Sequence, residues 1–373
     1  MLERKVVIVG GGLAGLTCAI HLLRCGHPVT LIEKNKYPQH KVCGEFISNE
    51  VRSYWASMDI NIEALNPTEI SKFSISSPKG RSLSCKLPLG GFGISRYTLD
   101  HFLFEKAIEL GCEVIQEGVE NIEAQTEKFC ISTSGNNTII ADLVIGAYGK
   151  RSALDLKLKR SFFKSKSPWL AVKAHYRGTL ENDKVALHNF NGGYCGISKV
   201  ENDLINVCYL TDYKHFKAYK NIEDFQQQVL ESNPLLKDFF QSAEMVFHAP
   251  LTISQIFFGK KKAIEDGILM IGDTAGLIHP LCGNGMAMAV HSAKLCAELC
   301  DKYLRGEIKN RGDLEKAYLA VWKYTFQKRL MFGRILSVVL RKKKVFNLML
   351  GLLSTFPALL PQIIKNTHGK SII

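Results

Sequence analysis

Three glycines and an acid near the start of the sequence have the spacing of a loop that binds a nucleotide. The glycines form the pattern G-x-G-x-x-G: Gly10, Gly12 and Gly15. A β-branched run precedes them, a helical pattern at residues 13–25 follows, and a second strand pattern ends at Glu33. Strand, glycine loop, helix, strand and acid in this order predict a βαβ unit that binds a dinucleotide.

The residue types in this unit suit a pyrophosphate and a ribose. Gly10 and Gly12 allow the backbone to turn tightly and to approach a pyrophosphate, and the start of the helix offers unpaired N–H groups and a positive dipole. Gly15 lets the helix pack closely on the strand. Glu33 can accept both hydroxyls of an adenosine ribose, and its charge would repel a 2′-phosphate. We therefore expect FAD or NAD at this site rather than NADP.

Two later segments carry similar glycine motifs. Residues 145–152 read Ile-Gly-Ala-Tyr-Gly-Lys-Arg-Ser and close an apolar strand pattern. Residues 272–276 read Gly-Asp-Thr-Ala-Gly, follow another buried strand pattern, and continue to Pro280 and to the pair Gly283 and Gly285. A chain that returns to a glycine loop after separated strands predicts one nucleotide domain built from several segments.

The order and spacing of these three motifs resemble the flavoprotein superfamily of aromatic hydroxylases, flavin-dependent halogenases and geranylgeranyl reductases, over residues 1 to about 310. Residues 41–45, Lys-Val-Cys-Gly-Glu, look most like the geranylgeranyl reductase branch, in which a Cys-Gly pair lies beside the isoalloxazine ring. The resemblance implies that FAD is the cofactor, that Arg96 reaches its phosphates or ribityl chain, and that Asp273 binds the ribityl and phosphate region.

The residues themselves support these roles. A strand that ends in Gly272 and Asp273 places a carboxylate where it can accept ribityl hydroxyls, although Asp273 could instead be a helix N-cap without a ligand. A helix that begins near Gly285 points its N-terminal amides toward the pyrimidine edge of the flavin. No metal site is expected. The residues expected to hold FAD are Gly10, Gly12, Ala14, Gly15, Glu33, Lys34, Cys43, Gly44, Arg96, Val119, Gly149, Gly272, Asp273, Pro280, Gly283 and Gly285.

Two side chains are candidates for catalysis. Cys43 is either a thiol near the flavin that orients substrate or donates a proton, or a buried apolar residue that packs beside Gly44. Tyr194 is either part of a pocket wall or a plain strand residue. His279, which precedes Pro280, is expected to be a structural histidine rather than a base.

Three departures from the superfamily narrow the chemistry. The hydroxylase motif has an aspartate where Tyr148 stands, which weakens the case for hydroxylase-type NADPH docking. The halogenase motif Trp-x-Trp-x-Ile-Pro is absent, since Trp169 has no second tryptophan nearby, which argues against halogenation. The reductase strand Tyr-x-Trp-x-Phe-Pro is replaced by Tyr-Cys-Gly-Ile-Ser-Lys from Tyr194, so we expect a wider pocket at Gly196 and a substrate that need not be a prenyl chain.

The pattern of elements predicts an α/β protein, α+β overall, with a Rossmann-like FAD-binding domain, an inserted antiparallel-sheet substrate domain and a helical C-terminal region. Residues 169–211 alternate like antiparallel strands and would form a roof over the pocket. The FAD-binding domain is expected at residues 1–50, 94–160 and 263–312, the substrate domain at 51–93 and 161–262, and the C-terminal helices at 313–373.

Composition and charge bear on the surroundings of the protein. The formal net charge is +13, and basic runs such as residues 341–344 lie in an apolar region, which favours a membrane surface over nucleic acid as a partner. Eleven scattered cysteines without a C-x-x-C pair indicate a reducing compartment. We therefore expect a cytoplasmic protein, peripheral on the inner face of the membrane.

The last helical segment has two interpretations. Residues 345–364 are mostly apolar, but Pro357 and Pro361 disfavour a single spanning helix. Next to four cations, such a segment suits a helix pair lying in a membrane interface. The alternative is that it folds back and caps the substrate domain.

These features together favour an enzyme that reduces or dehydrogenates a C=C bond of a hydrophobic, isoprenoid- or polyene-like small molecule, with FAD as the redox group. NAD(P)H is considered as a transient reductant, because no second dinucleotide motif identifies the electron donor. The alternatives are an FAD-dependent monooxygenase and a non-catalytic flavin electron carrier at the membrane. The fold is common to these chemistries and does not decide between them.

Overall fold

The computed structural model describes residues 4–341 and 343–373, without the side chains of residues 340, 341, 343, 344 and 347. The basic run 341–344 therefore lies outside the described side chains. The strands are β1 (Val6–Val9), β2 (Val29–Ile32), β3 (Phe46–Ser48), β4 (Thr68–Ser76), β5 (Ser82–Gly93), β6 (Glu113–Ile115), β7 (Val119–Ala124), β8 (Phe129–Thr133), β9 (Thr138–Ala141), β10 (Leu143–Gly146), β11 (Trp169–Arg177), β12 (Lys184–Phe190), β13 (Gly193–Lys199), β14 (Ile205–Asp212), β15 (Glu244–Met245), β16 (Leu251–Ser254), β17 (Ile264–Glu265) and β18 (Ile268–Met270). The α-helices are α1 (Leu13–Arg24), α2 (Arg52–Ser57), α3 (Arg96–Glu109), α4 (Ala153–Lys157), α5 (Tyr213–Phe216), α6 (Ile222–Gln228), α7 (Pro234–Ser242), α8 (Gly285–Leu304), α9 (Arg311–Arg341), α10 (Lys343–Thr355) and α11 (Leu359–Thr367).

The first of the two large sheets has six strands in the order β17, β18, β10, β1, β2, β6. All neighbours are parallel except β17, which pairs antiparallel with β18. Every residue of β1 is buried, as expected of a parallel strand covered on both faces. α1 leads from β1 to β2 and packs against α3 and α8. The predicted Rossmann-like βαβ unit is confirmed.

The second large sheet contains nine strands, in the order β15, β11, β14, β13, β12, β4, β5, β3, with β16 also paired to β11. Its pairs are antiparallel except β12 with β4. The strands expected between residues 169 and 211 are present as β11 to β14. β3 belongs to this sheet through its pairing with β5, so the chain enters the second sheet at Phe46. β7, β8 and β9 form a separate three-stranded sheet.

One predicted helix is interrupted. The sequence pattern favours a helix over residues 222–240, whereas the structure has α6 and α7 separated by a short turn. Pro234 cannot donate a backbone hydrogen bond and therefore starts a new helix at its first position. The side chain of Asn233 caps that helix by accepting from Leu235 N at 3.0 Å.

The C-terminal helices cover both sheets. α9 packs along the half of the protein that contains the six-stranded sheet, where Leu314, Tyr318 and Phe326 are fully buried. α10 and α11 lie on the nine-stranded sheet and bury Leu353 and Ile364 against it. The inner face of this segment therefore caps the nine-stranded sheet, in agreement with the second of the two interpretations.

In the described ranges, no helix is by itself long and apolar enough to cross a membrane. The segments Leu348–Thr355 and Leu359–Thr367 reach that length and composition only as a pair, and they bend by 118° at their break.

A single hydrogen bond offers a test of how α9 is held. The Tyr318 hydroxyl donates to the Met270 carbonyl at 2.6 Å in the buried core. We expect Tyr318→Phe to lower the free energy of unfolding by about 1–2 kcal/mol, because the buried carbonyl loses its partner. Tyr324→Phe is the matched control on the same helix, since Tyr324 is 90% exposed, and should change stability by less than about 0.5 kcal/mol. Urea denaturation measures both, and equal effects would contradict the assignment.

Candidate functional site

A large cavity lies between the two sheets and the C-terminal helices. Its volume is about 1180 Å³, and its lining runs from the glycine loop after β1 to Leu353 and Ile364. Sites for one small molecule are typically about 300–1000 Å³. The cavity therefore has room for a dinucleotide and part of a second molecule.

The glycine loop forms the nucleotide end of the cavity. Gly10 has φ +107°, and a side chain there would clash with the backbone of Ala147. A Cβ at Gly15 would lie 2.0 Å from the Gly10 carbonyl oxygen, so Gly15 serves helix packing, as predicted, and does not line the cavity. Gly12 lines the cavity, and a Cβ there would lie 3.6 Å from an Arg96 guanidinium nitrogen and 3.9 Å from Lys41 Nζ. Two cations over the start of α1 fit a pyrophosphate.

Glu33 lies beside this loop at the end of β2. Its Oε2 accepts from Gly11 N at 2.8 Å, and its Oε1 accepts from Asn35 N at 3.0 Å and from Asn35 Nδ2 at 2.9 Å. These bonds fix the carboxylate at the cavity wall and leave a free acceptor position on Oε2. The arrangement fits the predicted contact with ribose hydroxyls.

Arg96 and Lys41 are held in place by Asp100. The Arg96 guanidinium makes two parallel bonds of 2.6 Å to the Asp100 carboxylate, and Lys41 Nζ lies 3.1 Å from the same group. Burial alone would raise the pKa of Asp100, but the charges of Arg96 and Lys41 lower it below its usual value. A permanently ionised carboxylate therefore orients the two cations that face Gly12.

The loop that contains Cys43 lies between the two sheets. Cys43 and Gly44 both line the cavity, and a Cβ at Gly44 would meet nothing within 4 Å. Lys150 Nζ donates to the Val42 carbonyl at 2.9 Å, and Asn206 Nδ2 donates to the Cys43 carbonyl at 3.3 Å. The open space at Gly44 leaves room for a planar ring to approach the backbone.

The neighbours of Cys43 in sequence do not present free positive charge to it. The Lys41 ammonium forms an ion pair with the Asp100 carboxylate. Burial lowers the pKa of His40 to about 4, so this ring is neutral at pH 7. His40 instead stacks on Tyr97 with the ring centroids 4.5 Å apart.

Glu45 is the residue after Gly44, and its carboxylate is fully buried. Its Oε1 accepts from Lys173 Nζ at 2.6 Å and from Arg96 N at 2.7 Å, and its Oε2 lies 2.7 Å from His175 Nε2. Burial alone would raise the pKa of Glu45, but the hydrogen bond from His175 and the charge of Lys173 hold it below the usual value. Glu45 has φ 52°, a conformation that costs a non-glycine residue about 1–3 kcal/mol. The contacts with β11 hold the loop in this strained form.

The third glycine motif completes the cofactor end. Gly272 has φ +57° and starts a 3-10 helix, Gly272–Thr274, whose N-cap is Ile271. Asp273 is therefore inside that turn rather than at its N-cap, and it lines the cavity. Lys261 Nζ donates to the Asp273 carbonyl at 2.8 Å, and burial lowers the pKa of Lys261 to about 8.

α8 begins at Gly285, where the sequence predicted it. Its N-cap Asn284 makes no side-chain capping bond to the helix, so the first amides are not satisfied in that way. Asn284 Nδ2 donates instead to the Thr367 carbonyl at 2.9 Å, which ties this helix to α11. Free amides beside the cavity suit an acceptor edge of a ligand.

Tyr194 lies on β13 and faces the apolar part of the cavity. Its side chain is buried, and its hydroxyl has no hydrogen-bond partner among the residues that the structure describes. Burial raises the pKa of this phenol well above its usual value, so the hydroxyl is protonated at neutral pH. Gly196, two residues on, also lines the cavity. His279 packs against the rings of Trp169, Tyr194 and Phe258.

The structure brings nearly all of the predicted site residues to this one cavity. Those that line it are Gly10, Gly12, Ala14, Glu33, Lys34, Cys43, Gly44, Arg96, Val119, Gly149, Tyr194, Gly272, Asp273, Pro280, Gly283 and Gly285. Their roles toward a bound ligand remain predictions.

Lys150, Asp100 and Glu45 were not predicted from the sequence, although Glu45 belongs to the motif at 41–45. Cys208 was also missed; it lines the cavity, and burial raises its pKa to about 12.

Comparisons with known proteins agree with this geometry. Residues 5–68 match the family model described as FAD dependent oxidoreductase (DAO). A digeranylgeranylglycerophospholipid reductase of Methanococcus vannielii is 24% identical over 90% of this chain and 86% of its own length. The conditioned medium factor receptor 1 of Dictyostelium discoideum is 24% identical over 78% of this chain, and the match spans only 62% of that protein. A tryptophan halogenase and FAD-dependent monooxygenases are also similar.

Solved structures show the same fold. The flavin-dependent brominase Bmp2 superposes with a TM-score of 0.78 at 18% identity, over 98% of this chain and 93% of that chain. The fold and the glycine-rich cavity thus define an FAD-dependent oxidoreductase. The chain is similar to digeranylgeranylglycerophospholipid reductases, a halogenase and monooxygenases, the groups that the sequence motifs resemble.

The contact of Glu33 with the nucleotide can be tested by cofactor titration. We expect Glu33→Gln to weaken FAD binding by about tenfold, because an amide offers one acceptor oxygen where the carboxylate offers two charged ones. Glu113→Gln is the matched control, since Glu113 accepts from Thr30 Oγ1 on the neighbouring strand and does not line the cavity. Quenching of flavin fluorescence on addition of apoprotein gives both dissociation constants. Equal affinities for wild type and Glu33→Gln would contradict the assignment.

The buried charge of Glu45 should be visible in the pH dependence of stability. Glu45→Gln leaves the Lys173 ammonium buried without a counter-charge, so we expect a loss of about 3–5 kcal/mol at neutral pH. Because the folded-state pKa of Glu45 is depressed, its contribution is complete above the ordinary value of 4.5 and is lost as the pH falls through the folded-state pKa. The difference between wild type and variant should therefore narrow below about pH 4.5.

Urea denaturation between about pH 3 and pH 8 measures this difference. The double variant Glu45→Gln with Lys173→Met removes both charges and should recover part of the loss. A Glu298→Gln control breaks a partly exposed ion pair with Lys294 on α8 and should change stability by less than about 1 kcal/mol. A difference that stays constant down to pH 3 would contradict the ionised state of Glu45.

Proposed function

We propose that this protein uses FAD to reduce a C=C bond of a hydrophobic, isoprenoid- or polyene-like small molecule. The observation that carries the proposal is the apolar continuation of the cavity beyond the Cys-Gly loop. There the wall is formed by side chains of the nine-stranded sheet and of the C-terminal helices. They are Ile75, Leu87, Val185, Leu187, Leu210, Met349, Leu353, Leu360, Ile363 and Ile364.

The lining supports a long apolar substrate rather than a polar one. Charged groups lie at the nucleotide end, where Lys41, Arg96 and Lys150 line the cavity. At the other end, the sheet and α10–α11 offer aliphatic side chains, for which a hydrocarbon chain is the matching ligand. The digeranylgeranylglycerophospholipid reductase relative supports a similar substrate class.

When bound, FAD in its reduced form supplies a hydride to one carbon of the double bond. The chain must then deliver a proton to the other carbon. Tyr194 suits this role because its hydroxyl is protonated, buried, and unpartnered among the described residues. The hydroxyl of Tyr209 is similarly without a partner in the described part of the chain, but its ring packs with Phe190 and Phe225. Cys43 lies at the junction of the two ends and orients the substrate over the ring.

Electrons must enter from a reductant, for which we propose NAD(P)H bound transiently. The alternative activity is that of an FAD-dependent monooxygenase. The FAD-dependent monooxygenases among the similar proteins favour it, and the cavity equally shields a reacting group from water. A flavin electron carrier without a substrate is the third possibility. One experiment distinguishes the three.

The purified protein with FAD is reduced under strictly anaerobic conditions and mixed with a polyene or isoprenoid. We expect the flavin absorbance to return as the saturated product forms, because the double bond accepts the hydride. Dependence on oxygen, with ¹⁸O found in the product, would replace the reductase with the monooxygenase. Reoxidation at a rate that no hydrophobic compound changes would favour the carrier.

A variant tests the proton donor separately. Tyr194→Phe removes the hydroxyl without changing the ring, and we expect the rate of product formation to fall by about 100-fold or more. Tyr176→Phe is the control, since Tyr176 is a buried tyrosine of β11 that does not line the cavity. FAD content and melting temperature should be unchanged in both. Full activity of Tyr194→Phe would exclude this residue as the donor.

A further inference from the structure

The end of the chain carries a large excess of positive charge. After Glu315 the sequence contains no further Asp or Glu. The same stretch, residues 316–373, holds eleven cations, against a formal net charge of +13 for the whole chain. They are Lys316, Lys323, Lys328, Arg329, Arg334, Arg341, Lys342, Lys343, Lys344, Lys365 and Lys370. A surface built from this segment is complementary to an anionic partner.

The same segment concentrates exposed apolar side chains. Of the seventeen large hydrophobic residues that are exposed in the described part of the chain, nine lie between residues 324 and 359. We call these nine the apolar stripe: Tyr324, Met331, Ile335, Val338, Val345, Leu348, Leu352, Phe356 and Leu359. Such clustering on the outside of a folded domain marks an interaction surface.

The spacing shows that the stripe is one face of the helices. On α9, the stripe residues 331, 335 and 338 are four and three positions apart, which places them on the same side. On α10, residues 345, 348 and 352 repeat the pattern, and Leu348 is 76% exposed. Each of the two helices therefore carries its own part of the stripe, and residues 341–344 stand between the two parts in the sequence.

The opposite side of α10 packs against the rest of the protein. Phe346, Leu350 and Leu353 are buried against the nine-stranded sheet, and Met349 and Leu353 line the cavity. The stripe is thus not the part that holds the helices on the fold. It is an outward apolar face on a strongly basic segment.

We propose that the apolar stripe docks this protein on the surface of a lipid bilayer that contains anionic lipids. An apolar helix face flanked by cations lies in the plane of a membrane interface, where the apolar side chains enter the acyl boundary and the cations meet the headgroups. A second copy of the chain is a poorer occupant, because two surfaces that each carry this density of cations repel. The proposal stands independently of the reaction, and it places the helices that wall the cavity next to a store of hydrophobic molecules.

Vesicle flotation tests the proposal on the full chain with FAD bound. Vesicles of phosphatidylcholine alone are compared with vesicles that also contain phosphatidylglycerol. We expect binding to the anionic vesicles that weakens as salt is raised and little binding to the neutral ones. Equal binding to both, or none to either, would overturn the proposal.

Variants locate the contact. The double variant Leu348→Gln with Leu352→Gln should reduce the partition into anionic vesicles by at least about tenfold. Leu156→Gln is the matched control, since Leu156 is 61% exposed on α4, outside the stripe, and it should bind as wild type does. Lys328→Gln should reduce binding by about fivefold.

Two further readouts distinguish membrane binding from misfolding of the variants and from self-association. FAD absorbance and melting temperature should be the same in wild type and variants, because every substituted residue is exposed. Light scattering should show that the wild type forms no dimer that is absent from the double variant. A dimer of that kind without vesicle binding would assign the stripe to a second copy of the chain and overturn the membrane proposal.

Discussion

The geometry of the site depends on one carboxylate that has no contact with solvent. Glu45 accepts from Lys173, lies within hydrogen-bonding distance of His175, both on β11 of the substrate sheet, and accepts from the amide of Arg96 at the start of α3 in the nucleotide half. Because its backbone is held at φ 52°, the position of the preceding Cys43 and Gly44 follows from these contacts. A buried ion cluster often adds little net stability, but it does fix one arrangement over the alternatives. Here the arrangement that it fixes is the meeting of the two halves of the cavity.

From this junction the cavity has two chemically different ends. On one side, Asp100 orients Arg96 and Lys41 over Gly12, so charge is concentrated where a pyrophosphate would lie. On the other side the walls are aliphatic, and Tyr194 contributes a buried hydroxyl. A redox group that spans the junction would have its polar tail anchored and its reactive ring facing an apolar space. This separation is one way in which a single fold can host different chemistries at the same cofactor end.

The sequence predicted the βαβ unit and the glycine loop that line this cavity, because their determinants are local. A glycine loop between a strand and a helix, and an acid at the end of the next strand, have their structural meaning within about thirty residues. The long-range contacts of the site could not be predicted from the sequence, as Glu45 and Lys173 show. These two residues are 128 positions apart, and neither residue type reveals its partner. The helix expected across residues 222–240 was wrong at Pro234, although the proline itself carried the signal. The C-terminal helices were found, but only the tertiary packing shows which of their faces is buried.

That packing gives the C-terminal segment two faces with different surroundings. Leu353 and Ile364 line the cavity, so the segment is part of the cavity wall and cannot be removed without exposing the apolar interior. The outer face exposes Leu348 and Phe356 to solvent, which is unfavourable unless another apolar surface covers them. A long hydrocarbon substrate has negligible solubility in water, so an enzyme that closes such a cavity with an amphipathic helix gains by placing that helix where the substrate is dissolved. If the substrate is the apolar molecule proposed above, the two faces of α10 answer one physical constraint, the transfer of that molecule without passage through water.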